Sequence, residues 1–340
     1  VEVVRTVDRT GTTTANRARG RFLGGFGGFI ARRLALGVLT LLAVSALVFL
    51  ATAVLPGDPA HAILGLAPPE RIQALRSDLG LDKPIAMQYL DYLRGLLTGD
   101  LGRSLVSRQP VFSYVSGRAV MSAILVAAAA GIAIPLAIFL GVATAVRRDG
   151  ILDRAVLVTS FVFNALPEFV IGLLLVIVLV TTVFHILPAV SLIPANGGLL
   201  SQPTTLVLPV LTLVLASVPY LYRHVRAAMI EAMEADHIQM ARLKGVSHWA
   251  LLYRHALRNA LTPVIQASAL SLAFLVGGTI PVEFLFNYPG LGSALTAAVA
   301  NRDLPVIQAI CILYAICYVL FSLVADALTV YATPRLRTEL

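Results

Sequence analysis

The stretch AVMSAILVAAAAGIAIPLAIFLGVATAV, residues 119–146, sits between Arg118 and Arg147 and holds no ionisable side chain. At about 1.5 Å per residue it is long enough, as a helix, to cross hydrocarbon about 30 Å thick. A helix that is apolar all round belongs in a protein core or in a membrane. The whole chain points to the membrane: of 340 residues, 58% are hydrophobic and 13% charged, with mean hydropathy +0.86. Soluble domains carry about a quarter charged residues. This composition excludes disorder, a disulfide scaffold and a conventional cytosolic enzyme. The net charge of +8 would suggest nucleic acid in a soluble protein; here it serves to hold loops inside the cell, and no nucleic-acid partner is expected. Cys311 and Cys317 lie six positions apart in one apolar tract, face different directions on a helix, and read as small buried residues, neither bridged nor metal-binding. The first thirty residues do not read as a cleavable signal peptide.

Further uncharged tracts mark the other spans. One runs from Leu34 to Leu55. Between Arg154 and Arg223 the only charge is Glu168, and the Pro/Gly/Asn-rich stretch from His185 to Thr205 divides that region in two. Another lies between Arg258 and Glu283, and the last between Asp303 and Arg335, interrupted by Asp326. The expected fold is an all-α polytopic membrane protein with six transmembrane helices. Its fourth span is expected to be short, kinked or ended by Pro209 and Pro219. Basic residues set the orientation. With the N-terminus inside, the cytoplasmic side receives the arginines of the N-terminal segment, then Arg147, Arg148 and Arg154, the cluster from Arg223 to Arg258, and finally Arg335 and Arg337. The two short outer loops hold only Arg302. Both termini are expected inside.

The resulting plan is a cytoplasmic tail over 1–29, a first span over 30–56, an extracytoplasmic segment over 57–118 and a five-helix core over 119–335. That core carries a cytoplasmic loop at 223–262, and a second tail follows at 336–340. In the outer segment, Pro69 and Glu70 start a helix in which Ile72, Leu75 and Leu79 recur before Gly80. Pro84 opens a second, carrying Tyr89, Leu93, Leu96 and Leu97 before Gly99. These two amphipathic helices either pack over the spans or dock an external partner.

In the inner loop, Val225, Met229 and Met233 repeat every four residues, so a helix is expected to continue inward until Gly245 breaks it. Ser247 is a good N-cap for a short helix lying along the membrane, with Trp249, Leu252, Tyr253 and Ala256 on one face. Helix, glycine hinge and short helix make a knob suited to a groove on another protein, although periodicity alone fits an interfacial amphipathic helix equally well.

The sequence Ala241-Arg242-Leu243-Lys244-Gly245, followed by His255-Ala256-Leu257-Arg258-Asn259-Ala260-Leu261, resembles the EAA loop of binding-protein-dependent ABC importer permeases. More narrowly, the chain resembles the oligopeptide/dipeptide/nickel permease family. Leu55-Pro56-Gly57-Asp58-Pro59 is similar to that family's pattern, as are Leu79-Gly80-Leu81-Asp82-Lys83-Pro84 with Gln88-Tyr89-Leu90, and Gly99-Asp100-Leu101-Gly102-Arg103-Ser104. So are Glu283-Phe284-Leu285-Phe286 with Tyr288-Pro289-Gly290-Leu291-Gly292, and Arg302-Asp303-Leu304-Pro305. The resemblance covers roughly residues 30–338. Two positions depart from it. Gln239 stands where the broader pattern has a glutamate, which removes a charge that could pair with an ATPase, and Thr333-Pro334-Arg335 replaces Asp-Pro-Arg. Residues 1–29 have no counterpart.

The resemblance implies a type I importer permease in the bacterial inner membrane, one half of a pair with a second homologous permease. Two ATP-binding subunits, holding ATP and Mg, would meet the inner loop through residues 236–258: Asp236, Gln239, Ala241, Lys244, Gly245, Trp249, Arg254, His255 and Arg258. An extracytoplasmic binding protein would deliver a di- or oligopeptide; nickel chelates, glutathione and other small solutes occur in the same family. The sequence has no G-x-x-x-x-G-K-[ST] phosphate loop, so ATP hydrolysis falls to partner chains and this chain is not itself an enzyme.

An ionisable residue within a span costs about 2.5–3.5 kcal/mol to insert, which makes it a functional candidate. Glu168, after Pro167 near the middle of the third span, either meets an amino group or metal cation in the pathway or hydrogen-bonds backbone freed by the proline. Glu283, at the outer end of the fifth span, matches a family glutamate and faces the receptor or the pathway entrance, or simply anchors at the interface. Asp326 is expected to partner Arg335 or the neighbouring loop. His224, His237, His248 and His255 lie in or beside the inner loop without a zinc motif and read as solvated. Two rival readings of these residues stand beside this one. A membrane-embedded hydrolase lacks a nucleophile–base pair at membrane depth. A proton-coupled secondary transporter using Glu168 leaves the inner loop unexplained.

Overall fold

The computed structural model of the chain describes residues 11–54, 67–78, 80–182, 185, 187–191 and 203–332. All regular structure among them is helical. Helix α1 spans Gly11–Val54 and so begins within the stretch read as a tail; its apolar part is Ile30–Val54. Helices α2 (Pro69–Asp78) and α3 (Ile85–Thr98) follow, then α4 (Val111–Val146). The motif Leu55-Pro56-Gly57-Asp58-Pro59, Leu79 and residues 333–340, with Arg335, lie outside the described residues.

The third span is not one straight helix. Helix α5 (Ile151–Ala165) and α6 (Glu168–Val176), which widens into a π-helical turn at Ile177–Thr182, meet at an angle of 105°. Pro167 forces the break: it pushes the preceding Leu166 into extended backbone (φ −97°, ψ 133°). Glu168 is therefore the first residue of α6, at the corner. Among the described residues, five continuous helices are long and apolar enough to cross a membrane, and the bent pair, taken as one span, makes six.

The fourth span corrects an expectation. Helix α7 (Thr204–Glu234) is continuous over 31 residues despite Pro209 and Pro219. Pro209 has no N–H for the Thr205 carbonyl one turn back, and the Ser191 hydroxyl donates to that carbonyl at 2.6 Å. Proline is tolerated here because another group serves the freed backbone. A second difference lies beyond it. The inward helix breaks first at Ala235, in extended backbone, before α8 (Asp236–Leu243). The helix after Gly245 is not a separate piece. From α9 (His248–Ala250) it runs through a π-helical turn, Leu251–Ala256, into α10 (Leu257–Leu285). Helices α11 (Leu291–Ala300) and α12 (Leu304–Ala332) complete the fold.

One end of the bundle, the basic end, carries Arg147, Arg148, Arg242, Arg254 and Arg258. Near that end, Tyr222, Val225 and Met229 of α7 pack with Ile238 of α8, Leu251, Leu252 and Ala260 in one apolar core. A second core joins Leu125 and Ala133 of α4 to Leu208 and Leu213 of α7 and Phe286. Helix α1 lies against α12, where Arg33 pairs with Asp326 at 2.9 Å; the expected partner Arg335 lies outside the described residues. Helix α3 covers the far end of α1: Tyr89 meets Phe49 at 5.3 Å between ring centres and its hydroxyl lies 2.9 Å from the Ser45 hydroxyl.

Helices α4 and α7 cross at Gly141, where a Cβ would lie 2.6 Å from Val225 Cγ1 and 3.1 Å from the Arg226 backbone nitrogen. Replacing Gly141 with leucine is expected to destabilise the protein by at least about 1–3 kcal/mol, the usual range for overpacking. The midpoint of thermal denaturation in detergent should fall. Gly131→Leu, on the same helix with open space around it, should leave that midpoint in place.

Candidate functional site

At the basic end, the sequence Ala241–Val246 makes a tight helix stop. The N–H of Gly245 donates to Arg242 O at 3.0 Å and that of Val246 to Ala241 O at 3.2 Å, with Gly245 at φ +78°. This pair of bonds closes a helix around a left-handed residue, which costs an L-residue about 1–2 kcal/mol and glycine nothing. A Cβ on Gly245 would meet no atom within 4 Å, so the backbone angle, not space, requires glycine. Ile238, 1% exposed, pins α8 to the bundle. The opposite side of this short unit is open: Met240 is 61% exposed, Leu243 83%, Trp249 66% and Tyr253 58%. Trp249 and Tyr253 stack at 5.8 Å. Asp236, Lys244, Arg254 and Arg258 are exposed around them, while Ala241 is half-buried. Gln239 turns back and donates to the Glu234 carbonyl at 3.0 Å, closing the end of α7. The His255 side chain lies outside the description.

Two ion pairs brace the same end. Arg226 of α7 grips Asp153 of α5 through two bonds of 2.6 Å, and the Asp149 N–H donates to the same carboxylate at 3.0 Å. Asp153 is 2% exposed, so the pair is held in fixed geometry. Arg148 pairs with Glu234.

The second candidate region is the α5–α6 corner. A cavity of about 240 Å³ opens there between α5, α6, α7 and α10, lined by Asn164, Glu168, Ser217, Tyr220, Ser271 and Phe274 among others. Gly278 of α10 faces Glu168: a Cβ there would lie 3.6 Å from Glu168 Oε1. Arg223 donates to Asn164 Oδ1 at 2.9 Å and lies over Phe161, 5.3 Å from the ring centre. Sequence reasoning picked out Glu168 but not Asn164, Tyr220 or Arg223. Asn164 was readable as the other polar group flanking Pro167 in an apolar tract.

Glu283 belongs to neither region. It is fully buried, which corrects the expectation of a surface anchor or a group facing a receptor. The Ser122 hydroxyl donates to it at 2.5 Å, and the backbone N–H groups of Gly292 and Ser293, in the first turn of α11, donate at 2.6 and 3.4 Å. A carboxylate at a helix N-terminus is favoured by the unpaired N–H groups and the helix dipole. The glycines of the Tyr288–Gly292 motif make room for it: a Cβ on Gly290 would fall 2.3 Å from Glu283 Oε1, and one on Gly292 2.4 Å from Ile280 Cα. Two other motifs meet in the same way. Asp303 accepts from the Ser104 hydroxyl and from the Leu105 N–H at 3.0 Å, joining Gly99–Ser104 to Arg302–Pro305.

Comparison with known proteins accords with this architecture. Residues 133–338 match the family described as binding-protein-dependent transport system inner membrane component, and residues 27–134 match the N-terminal part of such membrane components. A protein named as a peptide transport system permease in Brucella abortus is 36% identical over 311 residues, 91% of this chain and 99% of that protein. A glutathione transport system permease of Pectobacterium atrosepticum is 37% identical over 310 residues, 91% and 98% of the two chains. The corresponding glutathione permease of Salmonella typhimurium is 35% identical over the same shares.

Glu283→Ala would leave the Ser122 hydroxyl and the Gly292 N–H without their acceptor, and each buried group so orphaned costs about 1–3 kcal/mol. The variant should denature at a lower temperature in detergent than the parent. Glu283→Gln, whose amide oxygen still accepts from Gly292, should lose less. Equal stability of all three proteins would contradict the buried cap.

Proposed function

This chain belongs to the family of binding-protein-dependent transport system inner membrane components, and from that premise we propose that it imports di- or oligopeptides handed over by an extracytoplasmic binding protein. As an ABC importer permease of the bacterial inner membrane it supplies a conduit. In this reading ATP and Mg are bound by two partner chains, and a second, homologous permease forms the other half of the pathway. The peptide assignment is supported by relatives named for peptide and for glutathione transport. Glutathione is itself a tripeptide and is the alternative cargo.

The observation that carries the coupling role is the open face at the basic end. Four large apolar side chains, Met240, Leu243, Trp249 and Tyr253, stand more than half exposed, ringed by charged residues, on a short unit pinned by Ile238 and closed by Gly245. Exposed aromatic and aliphatic anchors with a polar rim are what a partner groove selects. The charge distribution supports this end as cytoplasmic, with both termini inside. ATP-driven movement of the partner chains would act on α8 and be passed to α7, whose end Gln239 closes.

Trp249→Ala combined with Tyr253→Ala is expected to lower peptide uptake by reconstituted complexes at least tenfold while the chain still inserts and pairs with its partner permease. Uptake at the parent rate would overturn the coupling assignment. Reporters fused after residue 20 and after Leu340 should both read cytoplasmic and one near Gly80 external; an external reading at Leu340 would overturn the orientation.

A further inference from the structure

Glu168 differs from the carboxylates Asp326, Asp153 and Glu283. Asp326 has Arg33, Asp153 has Arg226, and Glu283 has Ser122 and two backbone N–H groups. Glu168 has no hydrogen-bond or ion-pair partner among the described residues. A carboxylate left so faces water, a ligand or a partner chain, because lipid offers it nothing. It faces the cavity at the α5–α6 corner.

The cavity wall offers donors as well as this acceptor. Arginine can only donate, so the bond from Arg223 fixes which end of the Asn164 amide it meets: the oxygen. The Asn164 NH2 group is then turned away from Arg223, with no acceptor among the described residues. Tyr220, Ser217 and Ser271 add hydroxyls, while Phe163 and Phe274 add aromatic walls. A carboxylate, amide donors a few residues away across the corner, and ring faces together suit a primary ammonium group bonded next to a carbonyl. That pattern is the amino terminus of a peptide.

We propose that the cavity at the α5–α6 corner is a transit site for the free amino terminus of a peptide: Glu168 accepts from the ammonium group and the Asn164 amide donates to the first carbonyl. Arg223 is a positioning residue that holds Asn164 in the donating orientation. This rests on the peptide-import reading above and narrows it to cargo with an unblocked ammonium end. A volume of about 240 Å³ holds one or two residues and leaves the remainder of a longer chain in the open pathway, so the site reads a terminus and not a length.

The test uses the complete complex, with its partner permease, ATP-binding chains and binding protein, in proteoliposomes, and trialanine as the probe. Glu168→Gln is expected to lower kcat/KM for trialanine uptake at least tenfold with the affinity of the binding protein unchanged. Arg223→Met should lower it similarly and Arg223→Lys, which keeps a donor for Asn164, should restore at least half of the rate. Uptake by Glu168→Gln at the parent rate would overturn the proposal, and equal rates for Arg223→Lys and Arg223→Met would overturn the positioning role.

A second measurement needs no transport. Ser217→Cys places a thiol in the cavity wall. It should react at least tenfold faster with 2-aminoethyl than with 2-sulfonatoethyl methanethiosulfonate, and the preference should vanish in the Ser217→Cys/Glu168→Gln double variant. If Glu168→Gln fails to assemble, this ratio in the single variant decides: equal rates for the two reagents reject the ammonium site. The two readings fail separately. A parent complex that takes up no trialanine but keeps the reagent preference loses the peptide assignment and retains the site; uptake without the preference does the reverse.

Discussion

Hydrocarbon cannot satisfy a charge or an unpaired hydrogen-bonding group, and the layout of this protein follows from that constraint. Three carboxylates, Asp326, Asp153 and Glu283, find partners on a different helix or at a helix end. Arg33 and Asp326 join the first helix to the last, and Arg226 and Asp153 join α7 to α5. Glu283 caps α11 while bonded to Ser122 of α4. Backbone groups freed by proline are served as well, as when Ser191 supplies the Thr205 carbonyl. Against that background an unpartnered carboxylate at a helix corner marks where the molecule is built for something other than itself.

Helix α7 connects the two candidate regions. Its middle, from Leu213 to Tyr220, walls the cavity at the corner, and its end at Glu234 leads through Ala235 into the short unit with the exposed aromatic face. The same helix is braced to α5 by the bidentate Arg226–Asp153 pair and to the end of α4 by Arg148–Glu234. A continuous helix and its braces thus join the basic end to the cavity wall. Transport in such a protein needs two arrangements of packed elements rather than gradual deformation. The corner at Leu166–Pro167 is the point in the third span where α5 and α6 are joined by non-helical backbone.

Much of this was legible in the sequence, because hydropathy is a local property. The uncharged tracts located the long helices, and Gly245 announced its turn. What could not be read depended on distant partners. Ser122 stands 161 residues from Glu283, so a glutamate at the end of an apolar tract looked like a surface anchor. Pro209 looked like a helix breaker because the hydroxyl that serves its freed carbonyl comes from a loop before the helix. Pro167 did break its span, and there the local rule held. In the candidate site Glu168 was visible as a lone charge, whereas Arg223 counted only as one more basic residue of the inner loop until its bond to Asn164 was seen.

The central claim is that events at the basic end are transmitted along α7 to the cavity at the corner. It is tested most directly by labelling Ala216→Cys, a position in the cavity wall, with a membrane-impermeant maleimide added outside proteoliposomes that hold the complete complex, with and without ATP trapping by vanadate. Labelling that changes at least tenfold between the two conditions in the parent background, and loses that change when Trp249 and Tyr253 are both alanine, is the expected result. Labelling that is the same with and without trapped ATP would contradict it.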